Sequence, residues 1–358
     1  MRLADRVRAV TTRPWTIMEV CGGQTHSIAR FAIEDLLPSG LTLIHGPGCP
    51  VCVTPLEVLE QARQLALTEN VTLASFGDML RVPGERGDLL DARARGADVR
   101  VVLSPLDAVR LAQDRPERHV AFFSVGFETT APAAAMAVEL AARLELDNFS
   151  ILAAHVRVPP ALEALLGSQN SKIDGFLAAG HVCTVMGTSE YPAIAARHRV
   201  PIVVTGFEPA DILEGVALCV EQLEAGRHEV AIQYTRAVRA EGSPLARASI
   251  ERVFEVVDRP WRGLGVIAAS GLRVREAFAR FDAARRFDLD VGRVEEPSAC
   301  RAAEVLQGLL RPPDCPEFGR GCTPERPLGA PMVSSEGACA AYHRYRRRSL
   351  AIGEEVPR

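Results

Sequence analysis

Short β-branched runs alternate with alanine- and leucine-rich stretches along most of this chain, and that alternation limits the folds open to it more than any other feature. The runs fall at residues 16–20, 41–44, 71–76, 99–103 and 120–124, and a second series follows at 150–154, 183–186, 202–205 and 230–234. Between them, residues 132–146 and 161–166 read as helices. Strands that alternate with helices predict parallel sheets joined by right-handed crossovers. The 358 residues suffice for about two to three domains. The expected fold is α/β: two parallel-sheet α/β domains, at 14–146 and 147–244, followed by a loop-rich C-terminal domain at 245–358 with residues 1–13 packed against it. Residues 297–331 are dense in proline, glycine and cysteine, so something other than a hydrophobic core must hold them together.

Composition and charge remove several classes of function. The 41 basic and 45 acidic side chains leave a net charge of -4, whereas a nucleic-acid-binding chain is usually basic. No apolar stretch approaches the roughly 18 residues of a membrane span, and residues 1–13 alternate charged with small side chains instead of building a signal-peptide core, so a cytoplasmic protein is expected. Lys172 is the only lysine and follows no glycine-rich phosphate loop, which argues against nucleoside-triphosphate and Schiff-base chemistry. Nine cysteines without a secretion signal point to metal or redox chemistry rather than a disulfide framework.

Three motifs sit where strands end, which is where open α/β sheets form their ligand sites. The first, Glu19-Val20-Cys21-Gly22-Gly23-Gln24-Thr25-His26, places a thiol and an imidazole on a glycine turn before a helix, whose N-terminus is expected to depress the Cys21 pKa. The bland alternative is a packing cysteine with His26 as a cap. The second, His45-Gly46-Pro47-Gly48-Cys49-Pro50-Val51-Cys52, holds a Cys-x-x-Cys pair; a zinc ribbon needs a second close pair, which the chain lacks, so redox use is favoured. The third, Gly126-Phe127-Glu128-Thr129-Thr130-Ala131-Pro132, places a carboxylate at a sheet end, although it also reads as a helix cap, as does Gly206-Phe207-Glu208-Pro209. Gly263-Leu264-Gly265 matches part of a dinucleotide fingerprint but lies in an apolar run with no helix after it, and is read as a decoy. His155 and His181 end apolar runs and read as satisfied turn histidines; Cys183 and Cys219 read as packing residues, and Arg344, Arg346, Arg347 and Arg348 as a solvated helix face.

Cys300, Cys315, Cys322 and Cys339 are separated by 14, 6 and 16 residues within the segment that lacks another source of stability. Four thiolates suit tetrahedral zinc or a [4Fe-4S] cluster. Zinc sites usually carry tight Cys-x₂₋₄-Cys knuckles, so the wide spacing favours the cluster.

Together with Phe76-Gly77-Asp78-Met79-Leu80-Arg81-Val82-Pro83-Gly84, Gln233-Tyr234-Thr235-Arg236 and Ser334-Ser335-Glu336-Gly337-Ala338-Cys339-Ala340-Ala341-Tyr342, these motifs resemble the HypD family of hydrogenase maturation factors over nearly the whole chain. The resemblance implies a scaffold and redox protein that assembles the Fe(CN)₂CO group of [NiFe]-hydrogenase with the small chaperone HypC and accepts cyanide from HypE, and that is a monomer outside the complex. On that basis Cys21 binds a transient Fe(II) that carries cyanide and carbon monoxide, His26 lines the same site, and Glu128 sits beside it. Cys49 and Cys52 form a redox pair, and Cys300, Cys315, Cys322 and Cys339 hold a [4Fe-4S] cluster. The family often has Cys-x-Cys-Gly where this chain has Cys300-Arg301-Ala302-Ala303, and a cysteine where it has Pro331, so four candidate ligands remain. Two other classes stay open on the residues alone: a stand-alone iron-sulfur thiol-disulfide oxidoreductase and a zinc-stabilised binding protein.

Overall fold

The computed structural model describes residues 2–292, 294 and 299–346. The chain divides into two compact units, each gathered from separated stretches. One comprises the described residues up to Cys52, Ala161–Gly242 and the described residues from Ala299 on; the other comprises Val53–Pro160 and the described residues from Ser243 to 294.

The first unit is built on a five-stranded parallel sheet. Its strands are β1 (Trp15–Glu19), β2 (Leu41–His45), β7 (Gly175–Ala179), β8 (Ile202–Thr205) and β9 (Val230–Ile232), in the order β2-β1-β7-β8-β9. Ile17, Leu43, Leu177 and Val203 face one core together with Ile212, Val216 and Val220 of helix Pro209–Glu224, as expected for strands covered by crossover helices. Helix Leu3–Val10 buries Val7 in this core and pairs Arg6 with Glu221 at 2.8 Å. The N-terminal helix therefore packs on helix Pro209–Glu224. From Ala299 the chain is loop-rich, with short helical turns and the helix Ala338–Tyr345, whose Ala341 and Tyr342 pack against Ala29 of helix Gly22–Arg30.

The second unit contains a four-stranded parallel sheet of β3 (Val71–Ser75), β4 (Asp98–Val101), β5 (His119–Gly126) and β6 (Phe149–His155), in the order β4-β3-β5-β6. Helices Pro105–Asp114 and Ala131–Arg143 bury apolar faces rich in alanine and valine. The unit also holds an antiparallel hairpin, β10 (Phe254–Trp261) and β11 (Gly265–Val274). Gly263 and Gly265, the suspected decoy, form its turn with φ of 79° and 75°.

Two sequence expectations change here. Residues 183–186, read as a strand, belong to helix Gly180–Met186, and the strand of that region is the preceding β7. Valine and threonine favour strands only weakly, and packing in the sheet overrides them. The block 14–146 does not form one sheet: β1 and β2 join the first unit while β3 to β6 form the second.

Candidate functional site

In the first unit the strand order reverses between β1 and β7, because β2 lies on one side of β1 while β7, β8 and β9 lie on the other. Open α/β sheets bind ligands at such a switch point, beyond the carboxyl ends of the strands. Cys21 follows β1 and is the N-cap of helix Gly22–Arg30; His181 follows β7 in the first turn of helix Gly180–Met186. Their side chains meet, with Cys21 Sγ 3.6 Å from His181 Nδ1. Phe207, just beyond β8, packs on the His181 ring at 5.2 Å between centroids, and Tyr234 meets Phe207 edge-on.

The electrostatics reverse one expectation. The backbone N–H groups of Gln24 and Gly23 pull the Cys21 thiol pKa down, as a helix N-terminus should, but burial outweighs them and pushes it well above the usual range. Glu19 and Glu336 push it further the same way. His181 is held neutral, its pKa lowered to about 4 by burial. A protonated thiol beside a neutral imidazole donates its S–H to Nδ1, which leaves the ring proton on Nε2.

Glu19 anchors the turn from below. Its carboxylate accepts the Cys21 N–H at 2.9 Å and the Thr25 hydroxyl, and it pairs with His45 Nδ1 at 2.6 Å. The parallel register sets Glu19 directly opposite His45. On its other side His45 Nε2 meets the Tyr342 hydroxyl at 2.9 Å, so a buried chain of polar groups runs from the Cys21 turn to helix Ala338–Tyr345.

The loop after β2 lies against the same turn. Gly48 accepts the Gly22 N–H at 2.8 Å, and a Cβ at Gly48 would collide with the Cys21 backbone nitrogen, so only glycine lets the two loops meet. Cys49 follows at once and is joined to Cys52 in a disulfide with a Cα–Cα distance of 5.2 Å, and both residues are buried.

His26 is placed differently from the sequence reading. Its Nδ1 meets the Ser335 carbonyl at 3.2 Å and its Nε2 meets the Tyr345 hydroxyl at 3.3 Å, so the imidazole that touches Cys21 is that of His181. Glu128 is buried in the second unit, where it accepts the Val158 N–H at 2.9 Å and satisfies an otherwise unpaired donor at the start of helix Val158–Leu166. Glu208 caps helix Pro209–Glu224 through a capping box with Asp211. Cys183 and Cys219 are buried packing residues. Arg346 is drawn into an ion pair with Asp35 at 2.6 Å rather than lying on a solvated face, and Arg347 and Arg348 lie outside the described residues.

Cys300, Cys315, Cys322 and Cys339 all line one cavity of the C-terminal segment. The Leu328 N–H points at Cys322 Sγ at 3.4 Å, and a Cβ on Gly329 would strike the Cys300 sulfur. Burial, followed by the proximity of the other three sulfurs, raises the Cys339 pKa well above the usual thiol range. Among the described residues no group of three or more His, Cys, Asp or Glu side chains is gathered so as to hold a single metal ion. Four convergent thiols with an N–H directed at one sulfur are a donor set that fits a polynuclear iron-sulfur cluster. No helix of the described residues is long and apolar enough to cross a membrane.

Comparison with known proteins converges on one family. The profile described as "HypD: Hydrogenase formation hypA family" matches residues 1–346. The hydrogenase maturation factor HypD of Azotobacter vinelandii is 48% identical over 360 residues, covering 98% of this chain and 95% of the relative. HypD of Escherichia coli K12 is 46% identical over 346 residues, with coverages of 96% and 93%, and HypD2 of Bradyrhizobium diazoefficiens is 45% identical over 352 residues, also with 96% and 93%. On whole-length matches of this kind the chain belongs to the HypD family of hydrogenase maturation factors.

Proposed function

We propose that this protein is the cytoplasmic scaffold on which the Fe(CN)₂CO group of a [NiFe]-hydrogenase is assembled, working with a HypC-type chaperone and a HypE-type cyanide donor. The observation that carries the reading is the Cys21–His181 pair at the switch point of the first sheet, hydrogen-bonded through its backbone to the loop of the Cys49–Cys52 disulfide. Iron is the cargo here. A buried thiol with a raised pKa yields its proton only when a cation takes its place, and His181 Nδ1 lies where it can receive that proton. Cys21 then holds the iron as a thiolate, and the small chaperone supplies a second sulfur ligand.

Cys49 and Cys52 give the chain an electron pair when reduced. Release of cyanide from a thiocyanate-bearing donor takes two electrons and two protons, all supplied by the dithiol: the S–C bond breaks, one proton leaves the donor a thiol, the other departs with the carbon as hydrogen cyanide, and the dithiol closes to the disulfide. The four C-terminal cysteines would hold a [4Fe-4S] cluster, which supplies single electrons when bound.

The test is an infrared spectrum of the protein purified without oxygen from cells that also express its small chaperone. Metal-bound cyanide and carbonyl bands are expected, and Cys21→Ala should abolish them while leaving the visible absorbance of the cluster intact. Equal loss of both signals contradicts this division of labour, and absence of the bands from a wild-type sample with intact cluster and bound chaperone favours the oxidoreductase.

A further inference from the structure

The second unit has a switch point of its own. In the order β4-β3-β5-β6 the direction of progression reverses between β3 and β5, and a crevice of about 220 Å³ lies at the carboxyl ends of these strands. Helices Pro105–Asp114 and Ala131–Arg143 begin at its edge. Phe76 and Phe122, edge to face at 5.5 Å, contribute aromatic wall, and the lining includes no Asp, Glu, Lys or Arg.

Two buried polar atoms in this lining have no hydrogen-bond partner, Ser124 Oγ and His155 Nδ1, and both residues are only 1% exposed. Ser124 lies opposite Ala153 and Gly126 opposite His155, so by the two-residue period of the strands Ser124 and His155 share one face of the sheet. A Cβ on Gly126 would collide with Thr130 Oγ1, so glycine there leaves room for the Thr130–His155 contact of 3.2 Å. The Thr130 hydroxyl donates to the Phe127 carbonyl at 3.2 Å and therefore accepts from His155 Nε2–H. Burial, aided by Arg259, keeps His155 neutral, with its pKa lowered to about 3. Nδ1 is consequently a bare acceptor. An unmet acceptor and an unmet hydroxyl in one crevice wall are costly to leave alone, which makes them a recognition pair.

We propose that this crevice binds a small uncharged molecule that offers an N–H donor beside a carbonyl oxygen, a primary carboxamide in the simplest case. The N–H donates to His155 Nδ1, the Ser124 hydroxyl donates to the carbonyl oxygen, and the aromatic wall covers the apolar remainder. A carboxylate of the same shape is rejected, since it has no proton for Nδ1 and would bury a charge without a cation. This inference is independent of the role given to Cys21.

The probe is benzamide with benzoate as its control, titrated into the full chain labelled with nitrogen-15, where the eight histidines leave few ring resonances to assign. Benzamide should move the His155 Nδ1 resonance upfield as it becomes an acceptor, and benzoate should not. Ser124→Ala should weaken benzamide binding about tenfold. Ala133→Leu, at a half-buried position of the crevice wall, should abolish binding while the protein stays folded by circular dichroism. Equal binding of benzoate, an unmoved Nδ1 resonance, full affinity in Ser124→Ala, or no benzamide binding at all overturns the proposal and leaves a crevice that holds only solvent.

Discussion

A thiol at a helix N-terminus is pulled toward the thiolate by nearby N–H groups and toward the neutral form by burial; at Cys21 burial wins. The consequence is a thiol that rests protonated, with His181 as the imidazole in contact with it. His181→Ala should therefore lower iron loading of Cys21 about tenfold or more, by metal analysis of anaerobic protein. His26→Ala should leave loading near wild type and lower thermal stability instead, because both of its ring nitrogens engage Ser335 and Tyr345. The reverse pattern would move the second functional imidazole to His26. Cys21 was legible from its glycine turn alone, whereas its partner was not: His181 lies 160 residues away, and a histidine after an apolar run is chemically indistinguishable in sequence from a turn residue. Only the pairing of β7 beside β1 brings the two together.

Among the elements, helix Pro209–Glu224 steadies the site from outside it. Asp211 in its first turn accepts both guanidinium nitrogens of Arg236 and also Gln233, and Arg236 lies 4.4 Å over the ring of Tyr234, which in turn backs Phe207 and His181. The hydrogen bonds from Arg236 hold the Asp211 carboxyl below its ordinary value of 3.8. A lowered folded pKa contributes stability that is complete above the ordinary value and is lost as pH falls through the lowered one. Asp211→Asn should cost about 1–2 kcal/mol at neutral pH, toward the lower figure because solvent reaches Arg236, and the difference from wild type in urea unfolding should shrink near pH 3. A difference that persists at low pH would mean that the carboxylate charge is not the source. Most strands and the long alanine-rich helix could be read from residue pattern; β7 could not, because Gly175-Phe176-Leu177-Ala178-Ala179 is short and carries no β-branched residue.

Across the whole molecule three histidines are kept neutral by burial: His119 and His181 with pKa near 4 and His155 near 3. The unfolded chain takes up these protons as pH falls below the ordinary 6.5, so this part of the stability is complete above 6.5 and declines as the medium is acidified toward 4. With all three titrating, the decline approaches about 4 kcal/mol per pH unit, and the urea midpoint should fall clearly between about pH 7 and pH 5. A flat midpoint over that range would show that the histidines are already solvated in the folded state. The two-sheet architecture and the loop-rich tail were legible at this scale, but the interleaving of segments between units was not, because strand alternation states what each run becomes and not which sheet it joins.

That interleaving has a consequence for how the protein is made. The Cys21 turn leaves the ribosome early, yet the residues that lie against it, Glu336 on Gly22 and Tyr342 on His45, are translated about 300 residues later. At roughly 5–20 residues per second the interval is about 15–60 s, during which the cysteine that is finally buried stands uncovered on a nascent chain. The surroundings of the Cys21 turn are therefore complete only once helix Ala338–Tyr345 has been made and packs on Ala29 and His45.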